Sequence, residues 1–215
     1  MDIASIVVSL FVLLFAITVH EASHGWAAFK MGDPTAHAMG RITLNPIAHI
    51  DPVGTILLPA LLVIMGAPPF GWAKPVPVNP LNLRNPRRDN LLISAAGPLS
   101  NLTVAFGAFI GLSLLKSVNP GVMMGRAGLF NLGTGLFLVL YYAVLINVIL
   151  AFFNMIPIPP LDGSGVLMGL LSEESAQKYD QIRPYGFLIL MILIFTGLIG
   201  RILGFIVNLV HIFIF

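Results

Sequence analysis

The sequence contains no cysteine, which excludes disulfides and thiolate metal ligands. Charge is nearly as scarce. Only 9% of the 215 residues are Asp, Glu, Lys or Arg, whereas a soluble domain carries about a quarter. With 57% hydrophobic residues, the composition is that of an integral membrane protein. A formal net charge of +2 is too small for a nucleic-acid binder, whose backbone contacts require a basic face. No basic residue precedes the first apolar run, and no small-x-small cleavage site follows it, so the N-terminal stretch reads as a retained span and not a signal peptide.

Long apolar runs fill the space that charge leaves. Five stand out, at about Ile3–Phe29, Val53–Met65, Leu91–Leu115, Leu132–Phe153 and Tyr185–Phe215. A helical span needs about 20 apolar residues. The first, third and fourth runs qualify. The second is short, contains Pro59 and suits a re-entrant segment. The fifth is interrupted by Arg201: either one span ends near Ile199 and an interfacial helix follows, or a single tilted helix lets Arg201 snorkel. Prolines stud residues 66–90 (GAPPFGWAKPVPVNPLNLRNPRRDN), predicting extended or irregular backbone there. At membrane depth such backbone must be covered by protein or line a wet cavity. The expected fold is an all-α polytopic membrane protein of about four to six spanning or re-entrant segments, with a short extended or β-like loop region. Residues 1–215 are expected to form one membrane-embedded domain, without room for a soluble accessory domain.

Within the first run stands VHEASHGW, residues 19–26. On a helix, His20 and His24 project from one face, so their imidazoles can converge on one ion. Glu21 lies beside them, within reach of a water on that ion. This is the H-E-x-x-H arrangement of two zinc ligands and a general base. The bland alternative is a polar packing cluster, which leaves Glu21 buried at a cost and without a purpose. A catalytic zinc takes three protein ligands and a water, so a third ligand must come from elsewhere. Asp162 is the candidate. It sits in NMIPIPPLDG, residues 154–163, where Pro157, Pro159 and Pro160 stop the fourth helix. A plain helix stop, with Asp162 capping the stretch that follows, is the competing reading.

HEASH in an apolar helix, followed far downstream by N-x-x-P-x-P-x-L-D-G, resembles the site-2 protease family of intramembrane zinc metalloproteases. Gly97-Pro98-Leu99-Ser100-Asn101 and GWAKPVPVNP (residues 71–80) are similar to stretches found in these enzymes, the latter in the compact prokaryotic type. The resemblance implies one Zn2+ per chain, held by His20, His24 and Asp162, with Glu21 as catalytic base. It implies that Asn154 binds substrate or the oxyanion, and that a transmembrane protein substrate in the bilayer is cut within or near its span. A polytopic metal-ion transporter and a catalytically inactive scaffold are the alternative classes. The transporter needs a polar path across the bilayer, and the third and fourth runs offer only scattered Asn, Ser and Thr.

For His20, His24 and Asp162 to meet at one depth, the first and fourth runs must point the same way. The second run must then fail to cross. Under that topology Lys30, Arg41, Lys74, Arg84, Arg87, Arg88, Lys178 and Arg183 share one face, opposite Lys116 and Arg126. The positive-inside rule makes the richer face cytoplasmic. A multi-pass cell-membrane protein with its site nearer the cytoplasm is therefore expected, and the resemblance to the compact prokaryotic type implies a prokaryote.

Overall fold

The structure, a computed structural model, describes residues 2–66, 71–118 and 132–215. Arg126 and Pro68–Pro69 fall outside them. Nine α-helices are defined among the described residues, and no strand. α1 (Ile3–Met31) begins at Asp2, whose carboxylate accepts the Ser5 N–H at 2.7 Å, and ends at Gly32 with φ of 110°. That left-handed C-terminal geometry favours glycine. A short α2 (Thr35–Ala38) follows. Residues 52–57 form a wide π-type turn that runs into α3 (Leu58–Ile64). The two long central helices are α4 (Pro86–Val118) and α5 (Leu132–Asn154). Four shorter helices complete the chain: α6 (Asp162–Leu170), α7 (Glu173–Asp180), α8 (Gly186–Phe195) and α9 (Leu198–Ile214).

α1, α4 and α5 are long and apolar enough to cross a membrane, so this is a multi-pass membrane protein. They form the core layer. Ala27 and Ala28 of α1 pack on Ile93 of α4 and on Leu83, while Leu112 near the far end of α4 packs on Val144 of α5 and Ile214 of α9. These pairings make α1 and α5 parallel to each other and antiparallel to α4. Lipid is as apolar as these side chains, so close van der Waals packing and interhelical hydrogen bonds hold the bundle together. Small residues permit the approach: a β-carbon at Gly111 would sit 3.3 Å from Leu140.

The second apolar run does not form a spanning helix. The chain entering it is instead tied to the chain that returns. Trp72 N–H donates to the Gly54 carbonyl at 3.1 Å, and Lys74 N–H to His49 at 2.9 Å. Residues 71–79 are extended, as the prolines predict, but pair with no strand among the described residues. The fifth run is not one long helix: as in the first of its two expected forms, one helix ends near Ile199 and another follows. It breaks at Gly197, where φ is 75°, and α9 leaves the preceding helix at 66°. The bend precedes Arg201, and the second arm is the longer one, because Gly197 supplies a left-handed turn that the arginine does not.

Candidate metal centre

α1 carries His20 and His24 one turn apart on the face turned toward α4. Their rings meet edge to face with centroids 4.6 Å apart, and their Nε2 atoms are 3.0 Å apart. α5 ends at Asn154, and the turns that follow deliver Asp162 to the first turn of α6. Asp162 caps nothing: the residue before the helix makes no side-chain cap, and the carboxylate faces the histidines. Its Oδ2 lies 3.0 Å from His20 Nε2 and its Oδ1 3.3 Å from His24 Nε2. Gly163 lets the turn close, since a β-carbon there would sit 2.2 Å from the Met155 carbonyl.

Which nitrogens carry protons follows from the partners on the other side of each ring. His24 Nδ1 is 2.7 Å from the Ile93 carbonyl, which can only accept, so Nδ1 donates. His20 Nδ1 is 2.6 Å from Asn101 Oδ1 and donates likewise. In the neutral rings both Nε2 atoms then present bare lone pairs to each other and to the Asp162 carboxylate. Asp162 Oδ2 is buried and accepts no hydrogen bond. Three electron-pair donors this close, with no proton between them, repel unless a cation joins them. Two imidazole nitrogens and one carboxylate oxygen are a zinc donor set of the catalytic kind, with a coordination position to spare. The N–H···O bonds behind the rings are what such ligands use to fix their orientation.

α4 makes room for the cluster. A β-carbon at Gly97 would lie 2.4 Å from His24 Nε2 and 2.7 Å from His20 Nε2. Pro98 beside it removes one helical N–H. Glu21 is held from the other side: Val76 N–H in the extended segment donates to its Oε2 at 3.1 Å. His20, Glu21, His24, Asn154 and Asp162 all line one cavity of about 1110 Å³, walled largely by apolar side chains from α1, the extended segment, α5 and the α8–α9 bend. Asn154 Nδ2 donates to the Leu150 carbonyl at 3.0 Å within its own helix. The remaining histidines stand apart. His37 stacks on Phe29, His49 is buried with Nε2 donating to the Thr43 carbonyl, and His211 bonds the Tyr141 hydroxyl. Among the described residues, His20, His24 and Asp162 are the one group of three such ligands able to share an ion. Reading the sequence alone missed Val76, Asn147 and the spacing role of Gly97. Only Asn147 left a signal, as an amide in an otherwise apolar helix.

Comparison with known proteins agrees with this geometry. The family model described as Peptidase family M50 matches residues 8–197. "Putative zinc metalloprotease YwhC" of Bacillus subtilis is 39% identical over 186 residues, covering 86% of this chain and 79% of its own length. "Putative zinc metalloprotease Rip2" of Mycolicibacterium smegmatis is 30% identical over 190 residues, covering 87% of this chain and 66% of its own. "Putative zinc metalloprotease MJ0611" of Methanocaldococcus jannaschii is 39% identical over 79 residues, 37% of this chain and 34% of its own. No solved structure matches. With the model spanning both the histidine pair and Asp162, the chain belongs to peptidase family M50, the site-2 protease family.

Proposed function

We propose that the protein is a zinc metalloendopeptidase that hydrolyses peptide bonds within or near transmembrane segments of other membrane proteins. The observation that carries this reading is the meeting of His20, His24 and Asp162, with Glu21 beside them, in an apolar cavity between membrane-crossing helices. His20, His24 and Asp162 would hold one zinc ion, which supplies Lewis acidity when bound. The protein's own groups do the rest. The Val76 N–H fixes one oxygen of Glu21 and leaves Oε1 to take a proton from the attacking water and pass it to the departing amine. The apolar walls keep bulk water from the reacting strand, which strengthens every charge interaction inside. Asn154 serves the substrate carbonyl once its amide turns from Leu150. A substrate helix must unwind first, since its carbonyls are hydrogen-bonded along its own axis. The relatives' organisms and the distribution of basic residues support a prokaryotic cell membrane with the site nearer the cytoplasm.

The test uses purified protein in detergent, with zinc measured per chain and cleavage of a transmembrane peptide followed in parallel. Wild type is expected to hold one zinc per chain. Glu21→Gln should keep the zinc and lose roughly 10²–10⁴-fold in cleavage rate. His20→Ala and Asp162→Ala should lose both. A Glu21→Gln protein that still cuts at the wild-type rate would sink the mechanism.

A further inference from the structure

Behind His20 runs a buried chain of amides that the proposed reaction does not use. Asn101 of α4 and Asn147 of α5 are both 0% exposed. Isolated amides are costly in the middle of a membrane protein, so each must be satisfied. Their directions can be read from two backbone carbonyls, which only accept. Asn147 Nδ2 lies 2.8 Å from the Ala143 carbonyl, so its NH2 group points there and its Oδ1 points at α4. Asn101 Nδ2 lies 2.8 Å from that Oδ1 and 3.2 Å from the Ala16 carbonyl of α1, so its NH2 group faces both. The one atom left toward His20 is Asn101 Oδ1, at 2.6 Å from Nδ1. An oxygen there requires a proton on Nδ1. Reversing either amide would set NH2 groups against donors or oxygens against carbonyls in a site with no solvent to compensate.

We propose that Asn101 and Asn147 are positioning residues that lock His20 in the Nδ1–H tautomer, so that its Nε2 is always bare toward Asp162 and His24. The inference rests on the metalloprotease reading of that cluster. It assigns α5 a second task besides leading into the turns that deliver Asp162: it sets the direction of the amide chain from Ala143. All three spanning helices thereby contribute to one ligand. Asn147 touches neither the cluster nor the cavity, so its effect must travel through Asn101.

The experiment measures zinc affinity of the full-length purified protein by competition with a fluorescent chelator, with zinc alone as ligand. Thermal unfolding of the metal-stripped protein runs in parallel. Outer ligands of this kind typically set affinity by about 10–100-fold. Asn101→Leu is expected to weaken zinc within that range. Asn101→Asp, which as a buried neutral acid keeps a carbonyl oxygen facing Nδ1 and turns its hydroxyl toward Asn147 Oδ1, should stay within a few-fold of wild type. Asn147→Leu should weaken zinc by several-fold, because Asn101 then loses one of the two acceptors that orient its NH2 group. Where Asn101→Leu does not fold, Asn147→Leu and Asn101→Asp decide. Variants that unfold earlier but bind zinc like wild type would overturn the proposal, leaving a packing role. Wild-type protein that binds no zinc would overturn the metalloprotease reading and this inference with it.

Discussion

Position 97 has space for a hydrogen and nothing larger. A β-carbon there would press on both Nε2 atoms of the histidine pair, at 2.4 and 2.7 Å. Alanine is the better helix former by up to about 1 kcal/mol, so Gly97→Ala should leave α4 helical while forcing the imidazoles apart. The expected result is unchanged helical circular dichroism with zinc affinity at least tenfold lower; wild-type zinc binding would show that the rings have slack. Asp33 makes a different kind of point. It is fully buried at the C-terminal end of α1. Burial pushes its carboxyl up, but bonds from the Asn82 amide, the Thr35 hydroxyl and the Asn79 and Thr35 N–H groups outweigh burial and hold it below the usual carboxylate range. A carboxylate depressed by folding adds stability above its unfolded value, about 3.9, and that stability fades as pH falls through the lower folded value. Thermal unfolding between pH 7 and 3 should therefore show an acid-side loss that Asp33→Asn flattens; an unchanged acid limb would place the sensitive group elsewhere. Asp33 looked like an ordinary loop acid in the sequence, because nothing in its neighbours' spacing shows that Asn79 and Asn82 fold back onto it. His20, Glu21 and His24 were readable because one helical turn puts them together whatever the rest of the chain does. Asp162 was readable only in context, through the prolines that stop α5 before it, a histidine pair short of a third ligand and the resemblance of its motif to the family's.

Elements were legible where one local force decides them. The prolines of residues 66–90 predict extended or irregular backbone, and residues 71–79 have no helix or strand; but Pro80–Asn82 make a 3-10 turn and α4 already begins at Pro86, since proline is at home in the first turn of a helix. The apolar runs mark α1, α4 and α5 to within a few residues. The break in the fifth run near Ile199 was legible, but not its cause, because a glycine in a left-handed turn looks, in sequence, like any small residue in a span. The extended segment's use was also hidden. It is pinned at Gly54, where a β-carbon would fall 2.3 Å from the Trp72 ring, and by Arg41, whose Nη2 donates to the Lys74 carbonyl at 2.6 Å. Two residues further on, Val76 holds Glu21. Gly54→Val should push Trp72 aside and carry Val76 with it. Zinc content should stay at the wild-type level while cleavage falls at least tenfold, since the segment's hydrogen bond at the site goes to the base. Loss of zinc in that variant would mean that the segment supports the whole cluster.

Across the whole molecule, the parallel run of α1 and α5 against α4 fixes which ends share a face. The chain before the second apolar run, at His49 and Gly54, meets the chain after it, at Trp72 and Lys74, so the chain enters and leaves that segment on one side. Lys116 lies at the other end of the bundle, where its Nζ bonds the Ile214 carbonyl at the end of α9. The basic residues around α2, the extended segment and the start of α4 thus gather opposite Lys116, and the proposed orientation, with the basic face in the cytoplasm, follows the positive-inside rule. Since the chain has no cysteine, any introduced thiol is unique. Met39, Leu81 and Val118 are all well exposed, at 61%, 92% and 84%. In intact cells a membrane-impermeant maleimide should label Val118→Cys and spare Met39→Cys and Leu81→Cys, and permeabilised cells should label all three. Labelling of Met39→Cys from outside, with Leu81→Cys protected, would make the second run a full crossing. It would also part the basic residues near α2 from those at the start of α4, a separation that the hydrogen bonds between residues 49–54 and 72–74 forbid.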